Sequence, residues 1–413
     1  MGEVRSVAIL GGGPAGAALG AFLARDGLDV TLFDGGKRPP LIVGESLVPA
    51  VVPFLERLGI EDEVAAYSTW KPGATFTFDA DDRMTFLFGE VRAARTPYSY
   101  NVPRDRLDRS VREAALRAGV RFVPRHAKLE RGEGDRVRLA GESLAAADLA
   151  APPDFVVDAA GRSRLLGRLL ALPVVEGGRR DTALHAHLEG VPLVFEGHVH
   201  TDLLEHGWCW RIPLPGRVSV GLVIDAPVLR ELGDDAEEQF DATLRQDRRL
   251  REWGATAKRI SPVVKYTNYQ LRHGRGAGAN WALVGDAFGF IDPVFSSGML
   301  VGLDGALELS RALVAGGGGA EALARYERHV LHHLANWQRV ASYFYDGRLF
   351  TLLKLGDRKR DEFPWSLVDP HFRKHLPRVF TGESTTRRYS MGLLDFMVRF
   401  ALTGSDPRPL AVR

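Results

Sequence analysis

Three glycines near the start of the chain stand at the spacing that binds the pyrophosphate of a dinucleotide. The first glycine of a GxGxxG pattern permits a tight turn, the second lets backbone N–H groups approach a phosphate, and the third lets a helix pack closely on a strand. Asp34 follows eighteen residues after the last glycine and can accept hydrogen bonds from a ribose diol. We therefore predict a dinucleotide site here. The residues of this turn that we expect at the ligand are Gly11, Gly13, Pro14, Ala15 and Gly16.

The segments around these glycines are those that such a site requires. The apolar residues 7–10 predict a strand, the Ala- and Leu-rich residues 17–26 predict a helix, and residues 30–34 predict a second strand. The N-terminus of that helix carries a partial positive charge and would face the phosphates. A strand, turn and helix of this kind binds FAD or NAD, so this part of the chain alone does not separate the two cofactors.

A second cluster of glycine and acid favours FAD. Residues 282–286 predict a strand that ends in Gly285 and Asp286, whose carboxylate can bond ribityl or pyrophosphate oxygens. This Gly-Asp-Ala element resembles the one that grips FAD in the flavoprotein monooxygenase superfamily. Residues 158–162 (DAAGR) are similar to the strand and glycine element of that superfamily, and Arg104 looks like its flavin-contacting arginine. No second GxGxxG is present, so the resemblance implies FAD with electrons from outside the protein or from transiently bound NAD(P)H.

Further segments resemble the flavin-dependent halogenases, the tryptophan-halogenase-like family within that superfamily. Residues 206–213 contain WxWxIP, residues 290–298 read FIDPVFSSG, and residues 70–76 read WKPGATF. With the Gly-Glu-Ser of residues 44–46, the resemblance covers about residues 4–310.

The resemblance implies that Lys71 is the catalytic residue. In this family reduced FAD and oxygen convert a halide to hypohalous acid, which is indiscriminate, and a lysine apart from the flavin relays the halogen to an aromatic carbon. Burial of such an ammonium lowers its pKa and makes the nucleophilic amine accessible. Trp208 and Trp210, two apart on a predicted strand, would shield substrate from flavin. The remaining implied residues are Glu45, Ser46, Arg104, Gly285, Asp286, Pro293 and Gly298 for FAD, and Ser296, Ser297 and Gly298 for the halide.

Each of these assignments has a plainer alternative. The two tryptophans could be paired core aromatics, and Lys71 could be a surface lysine at the start of a strand. The serines at 296–297 could form an ordinary helix N-cap, and Asp292 fits best as a cap or turn residue.

Two C-terminal features are better explained by helix packing than by metal binding or partner binding. His329, His332 and His333 have helical spacing, but no HExxH pattern accompanies them, so we predict a packed or solvated helix face and no metal site. The apolar residues 391–402 predict a helix that closes the C-terminal core, with a partner-binding or membrane-surface helix as the alternative.

Composition limits the classes of partner and the cellular compartment that we expect for this protein. The chain has 413 residues, and 54 Lys plus Arg against 52 Asp plus Glu leave a formal charge of +2, which argues against a nucleic-acid partner. The single cysteine, Cys209, excludes an internal disulfide and agrees with a reducing cytoplasm. The apolar run at 7–10 is too short for a signal peptide or a transmembrane helix.

We predict an α/β fold: a Rossmann-like FAD-binding domain of the glutathione-reductase type, an inserted antiparallel β-sheet substrate domain and a short helical C-terminal region. The predicted parts are the FAD domain (residues 1–68, 99–180 and 271–315), the substrate sheet (69–98 and 181–270) and the helical region (316–413). The finer predictions are helices at 44–59, 105–118 and 298–314, a strand within 154–164, a hairpin at 70–88 with its turn at 79–83, short alternating strands in 181–225 and 262–270, a flexible glycine joint at 316–319 and one long helix at 320–350.

The function that this resemblance implies is halogenation. The expected enzyme uses reduced FAD from a separate flavin reductase, oxygen and a halide ion to chlorinate or brominate an electron-rich phenol or pyrrole, free or tethered to a carrier protein, as in antibiotic biosynthesis. The short tail favours these substrates over free tryptophan. The rival is an aromatic hydroxylase that acts on a phenol or a protein side chain. The same FAD elements would also fit a reductase of prenyl chains, which needs no WxWxIP, and a non-catalytic flavin-binding scaffold.

Overall fold

The computed structural model describes residues 3–36, 38–179, 181–267, 270–359, 362 and 371–412. The strands are β1 (Ser6–Leu10), β2 (Asp29–Phe33), β3 (Thr69–Lys71), β4 (Gly73–Asp79), β5 (Asp82–Leu87), β6 (Ser99–Asn101), β7 (Arg121–Val123), β8 (Leu129–Arg131), β9 (Val137–Leu139), β10 (Phe155–Asp158), β11 (Val174–Glu176), β12 (Asp181–Glu189), β13 (Val199–Leu204), β14 (Gly207–Leu214), β15 (Arg217–Asp225), β16 (Lys258–Arg259), β17 (Val264–Thr267), β18 (Leu271–His273), β19 (Trp281–Leu283) and β20 (Gly289–Phe290). The α-helices are α1 (Pro14–Arg25), α2 (Val52–Leu58), α3 (Glu61–Tyr67), α4 (Arg104–Arg117), α5 (Gly141–Ala146), α6 (Leu165–Leu169), α7 (Ala226–Glu231), α8 (Ala236–Gln246), α9 (Arg251–Gly254), α10 (Ser297–Val314), α11 (Ala320–Tyr345), α12 (Arg348–Lys359) and α13 (Arg388–Phe400).

A five-stranded parallel sheet carries the glycine turn. Its strand order is β19-β10-β1-β2-β7, and α1 packs against α4 and α10. Because helices cover parallel sheets, β1 and β10 are continuous apolar runs. The predicted strand, glycine turn, helix and strand are confirmed, as is the strand that leads to Gly285. The fold class is the predicted α/β class.

The second sheet has eight strands among the described residues and lies beside the first. Its order is β16-β12-β15-β14-β13-β4-β5, and β17 also pairs with β12. The predicted hairpin is confirmed as β4 and β5. We predicted an antiparallel sheet. The prediction was wrong for one pair of strands, because β13 and β4 are parallel. Parallel neighbours need a long connection, and the chain between β4 and β13 supplies it.

The prediction of short strands that alternate between core and solvent was wrong for β12, β14 and β15. These strands have eight or nine residues, and almost all of them are buried. Successive side chains of β14 enter two different apolar cores, so that Trp208 and Trp210 face the core shared with the parallel sheet and Cys209 faces the core beneath α8. Because both faces are covered, the pattern of a half-exposed strand is absent.

Glycines and prolines account for three further differences. The helix predicted at 320–350 is two helices, because Gly347 has a φ of +79° and ends the first at a left-handed position. The helix predicted at 44–59 starts with a 3-10 turn at Pro49–Val51 and continues as α2. The glycines at 316–319 form a hydrogen-bonded turn between α10 and α11 instead of a flexible joint.

The C-terminal helices pack onto the same apolar core as the parallel sheet. The helix predicted at 391–402 is α13, and it buries Met391, Leu394 and Met397 in that core while Phe396 and Phe400 are exposed. The domain boundaries stay predictions. Among the described residues, the helices are each too short or too polar to cross a membrane.

Candidate active site

A cavity of about 400 Å³ lies where the N-termini of α1 and α10 meet the second sheet. It brings together residues that the sequence places up to 286 positions apart, between Gly13 and Met299. The predicted site residues that line it are Gly13, Pro14, Ala15, Glu45, Ser46, Arg104, Trp208, Trp210, Gly285, Asp286, Pro293, Ser296, Ser297 and Gly298. The predicted residues that do not line it are Gly11, Gly16, Asp34 and Lys71.

The glycine turn is built to admit a ligand at one position and to pack tightly at two others. A Cβ atom on Gly13 would meet no atom within 4 Å, so this residue faces open space. A Cβ on Gly11 would lie 2.4 Å from the carbonyl oxygen of Ala159, and one on Gly16 would lie 2.1 Å from that of Gly11. No side chain caps the N-terminus of α1, so its backbone N–H groups are available to an anion.

Asp34 lies at the end of β2, as predicted, but its carboxylate is already bonded. It accepts a 2.5 Å hydrogen bond from Arg38 and a 3.0 Å hydrogen bond from the backbone N–H of Gly36. A ribose at this point would share the carboxylate with Arg38 or displace it.

Charged groups of both signs line the cavity near the glycine turn. Arg104 donates to the carbonyl oxygen of Val43 and forms a 3.0 Å ion pair with Asp108. Arg162 also lines the wall. Burial raises the pKa of Asp286, against the opposing effect of the nearby arginines. Uncapped N–H groups, guanidinium groups and an acid are the donors and acceptors that the pyrophosphate and hydroxyl groups of FAD require, so these residues fit the cofactor.

Lys71 is buried behind the cavity wall and is not a surface lysine. Only 2% of the residue is exposed, and its Nζ atom donates to the Ser46 hydroxyl (2.8 Å) and the Leu47 carbonyl oxygen (2.7 Å). The amine also lies 5.4 Å from the centre of the Phe88 ring. Burial lowers the pKa of Lys71 to about 7, so a neutral amine is accessible near neutral pH. Ser46 lines the cavity and therefore joins the lysine to it.

The two tryptophans share one face of β14 and both line the cavity, with ring centres 5.8 Å apart. Trp208 donates its indole N–H to the hydroxyl of Tyr345 (3.0 Å), and Trp210 donates to the hydroxyl of Ser219 (3.3 Å). Gly221 lies directly beneath Trp210, because a Cβ there would be 1.9 Å from the indole ring. Both indoles are therefore fixed by polar partners as well as by packing.

The segment before α10 has an unusual backbone. Ser296 has a left-handed φ of +55°, and among the described residues no side chain caps the helix, so the alternative of an ordinary side-chain N-cap is not found. Asp292 is a turn residue, as predicted, since its Oδ1 accepts from the Val294 N–H (3.0 Å). Its Oδ2 accepts from Tyr345 and from Gln270, each at 3.0 Å, and burial raises its pKa to about 6.

Sequence reasoning missed two histidines on the cavity side of the second sheet. The Glu45 carboxylate accepts hydrogen bonds from Nε2 of His185 (3.2 Å) and from Nε2 of His187 (2.9 Å), and all three residues are buried. Burial alone would raise the pKa of Glu45, but these hydrogen bonds outweigh burial and hold that pKa at about 2. The spacing of the histidines on β12, two apart, was the available signal.

The histidines of α11 meet a carboxylate that the sequence did not indicate. His329 and His333 lie 2.7 Å and 2.9 Å from Oδ2 of Asp304, on α10. Trp337 donates its indole N–H to Nε2 of His333, so Nδ1 carries the proton that Asp304 accepts. His333 thus joins α10 to α11 with both ring nitrogens occupied.

The family of the chain follows from its match to known proteins. The profile described as "Tryptophan halogenase" matches residues 6–96 and 91–348. The chain belongs to the tryptophan halogenase family. The halogenase is 27% identical over 361 residues to the "Tryptophan 2-halogenase" of Chondromyces crocatus, an alignment that covers 82% of this chain and 67% of that protein. It is 26% identical to the "1H-pyrrole-2-carbonyl-(peptidyl-carrier protein) chlorinase" of Pseudomonas fluorescens over an alignment of 442 positions. That alignment covers 98% of this chain and 95% of the other protein.

Solved structures agree with this family. The halogenase superposes on the flavin-dependent brominase Bmp2 with a TM-score of 0.79 at 20% identity, which covers 98% of this chain and 99% of that one. The myxobacterial chondrochloren halogenase CndH superposes with a TM-score of 0.72 at 25% identity, with 99% of both chains covered. The halogenase is a flavoprotein oxidoreductase that uses FAD and a halide ion.

Proposed function

We propose that this enzyme chlorinates or brominates an electron-rich phenol or pyrrole, with Lys71 as the residue that passes the halogen to the ring. The observation that carries the proposal is the buried amine of Lys71, which touches the cavity wall through Ser46 but does not line the cavity. When bound in its reduced form, FAD supplies the electrons with which dioxygen oxidises a halide to an electrophilic halogen species. An amine set back from the cavity receives that species away from the flavin.

The surrounding side chains support this separation of oxidant from substrate. Trp208 and Trp210 line the cavity with fixed indole rings, which would stand between the flavin and the aromatic substrate. Burial favours the neutral, nucleophilic form of Lys71, which a solvated lysine would not populate at neutral pH. The uncapped N-terminus of α10, at Ser296 to Gly298, offers backbone N–H groups to a halide ion. Glycine-turn residues and Arg104 would hold the cofactor.

The partners and the compartment are part of the same proposal. A separate flavin reductase supplies reduced FAD, because no second dinucleotide fingerprint is present in the sequence. A carrier protein presents the substrate, in line with the relative that acts on a carrier-bound pyrrole. We place the enzyme in the cytoplasm, where its one thiol, the buried Cys209, stays reduced.

The test is mass spectrometry of the products from reduced FAD, dioxygen and bromide. The substrates are phenols, pyrroles and indoles, each free and carrier-bound, and the expected product shows the isotope doublet of one bromine atom. Lys71→Ala should lose organic bromide by about a hundredfold or more while reduced flavin is still reoxidised. Lys258→Ala, which removes an exposed lysine of β16, is the matched control and should retain wild-type yield.

Two outcomes contradict the proposal. A product with a new oxygen and no halogen in excess bromide identifies a hydroxylase. Full yield of brominated product from the Lys71→Ala variant removes the lysine from the reaction.

A further inference from the structure

Halide oxidation consumes a proton, and few residues of the described cavity wall can supply one. Forming hypohalous acid from a halide ion, dioxygen and reduced FAD yields water and oxidised FAD, and it consumes one proton for each halide. The titratable side chains on the described cavity wall are Glu45, Arg104, Arg162, His185, Tyr266 and Asp286.

Most of these groups are unsuited to proton exchange. The guanidinium groups do not release protons in proteins. Glu45 is held ionised by its hydrogen bonds to the two histidines. Burial raises the pKa of Tyr266 further, and its hydroxyl donates to the carbonyl oxygen of Leu41. His185 and Asp286 remain, and an imidazole is the side chain that ordinarily exchanges its proton near neutral pH.

The two nitrogens of His185 have different surroundings. Nε2 lies 3.2 Å from Glu45 and 3.0 Å from the Ser219 hydroxyl, which also accepts the indole N–H of Trp210. Nδ1 is buried, and within the described part of the chain it has no hydrogen-bond partner. A buried nitrogen without a partner is costly unless a ligand satisfies it. The ring is therefore anchored at one edge and lacks a partner at the other, in a residue that lines the cavity.

The geometry does not suit a metal ion at this cluster. Arg217 donates its Nε hydrogen to Nδ1 of His187 (3.1 Å), and a guanidinium is only ever a donor. Nε2 of His187 therefore carries the proton that Glu45 accepts, and its lone pair is not available to a cation. Two histidines and a carboxylate here make a proton-holding network.

We propose that His185 donates the proton that halide oxidation consumes, with Glu45 and Ser219 as the residues that position its ring. The proton leaves Nδ1 for the oxygen atom of dioxygen that is released as water, and the neutral imidazole regains a proton from solvent before the next cycle. This assignment rests on the proposed function.

The His185 ring packs beside an acid, an imidazole and a neutral hydroxyl group. Glu45 contacts the ring directly, and the His187 ring lies 5.5 Å away on the same strand with Arg217 behind it. Lys265, on the neighbouring strand β17, donates a hydrogen bond from its amine to the side chain of Gln239. Gln239 belongs to α8, which covers the second apolar core. Ser219 and Trp210 are neutral. Among the described residues, the charged side chain that contacts His185 directly is the Glu45 carboxylate.

The test uses His185→Gln with His200→Gln as its control. A glutamine amide can still form hydrogen bonds with Glu45 and Ser219, the partners of Nε2, but it has no group in place of Nδ1. His200 is also buried with an Nδ1 that has no partner among the described residues, yet it lies outside the cavity wall. Hypohalous acid is trapped with a diketone at a series of pH values, in reduced FAD, dioxygen and bromide.

The wild type and His200→Gln should form hypohalous acid at a rate that falls as pH rises, because the step consumes a proton that a side chain donates. His185→Gln should be slower by about a hundredfold or more and should lose that pH dependence. Equal rates and equal pH profiles for His185→Gln and wild type would overturn the proposal. A wild type that forms no hypohalous acid overturns the proposed function instead, and this assignment with it.

A second measurement is independent of activity. In protein labelled with ¹⁵N-histidine, the His185 signals are those absent from the His185→Gln variant. Adding oxidised FAD should shift the His185 Nδ1 resonance and leave that of His200 in place. An unmoved His185 signal at saturating FAD would exclude contact between its Nδ1 and the cavity contents.

Discussion

The indole nitrogen of Trp208 lies 3.0 Å from the hydroxyl oxygen of Tyr345 and donates a hydrogen bond to it. That hydroxyl donates in turn to Oδ2 of Asp292, also at 3.0 Å. One tryptophan of the cavity wall is thus held by the last residue of α11 and by the loop that precedes α10. The C-terminal helix α11, whose described residues do not line the cavity, therefore orients a residue of the cavity wall.

Replacing Tyr345 with phenylalanine should destabilise the protein by about 1–3 kcal/mol, because the buried indole N–H of Trp208 and the carboxylate of Asp292 each lose a partner. The ring of Tyr345 also packs under the guanidinium of Arg179 (4.0 Å), and phenylalanine keeps that contact. Tyr343→Phe, which removes a partly exposed hydrogen bond to Asp395, is the control and should cost less. Urea unfolding followed by tryptophan fluorescence measures both. Equal stabilities of the two variants would contradict the role of Tyr345.

The stability of the wild type should rise with pH between about 7 and 10.5 because of Lys71. The pKa of this amine is about 7 in the folded protein and 10.5 in an unfolded chain, so the unfolded state binds more protons in this interval. Stability is lowest, for this group, below pH 7 and increases by up to about 1.4 kcal/mol per pH unit above it.

The control for this prediction is Lys71→Met, a residue of similar length that does not titrate. The free energies of unfolding of the two proteins at pH 7, 8 and 9 are compared. The value for the wild type minus that for the variant should become more positive with pH. Parallel pH dependences would show that folding does not lower the pKa of this amine.

Two alanine substitutions in the glycine turn should have opposite consequences. Gly13→Ala adds a methyl group to the open space that faces the cavity, and its φ of −71° suits alanine, so stability should hold while FAD affinity falls. Gly11→Ala forces alanine into a φ of +108° and against the Ala159 carbonyl oxygen, which should cost about 1–3 kcal/mol of stability. Thermal unfolding without cofactor and FAD titration by flavin fluorescence separate the two effects. Undiminished FAD affinity in Gly13→Ala would place the cofactor elsewhere.

Local patterns were sufficient to predict the glycine turn and the strand that ends at Gly285. The glycine spacing of residues 11–16 and the strand that ends at Gly285 depend on steric rules that act over a few residues, and both were predicted correctly. The same rules explain why the helix predicted at 320–350 was wrong, since Gly347 was visible in the sequence and its left-handed φ ends α11.

The sequence by itself determined the fold class, the glycine turn and the family-like motifs, because each is written in contiguous residues. Only the tertiary structure decided that Lys71 is buried behind Ser46, that Glu45 is bonded to His185 and His187, and that Tyr345 fixes Trp208. Those partners are 25 to 142 residues apart along the chain. Burial and hydrogen bonding between such residues depend on how two sheets and the C-terminal helices pack, and no periodicity in a single segment records that packing.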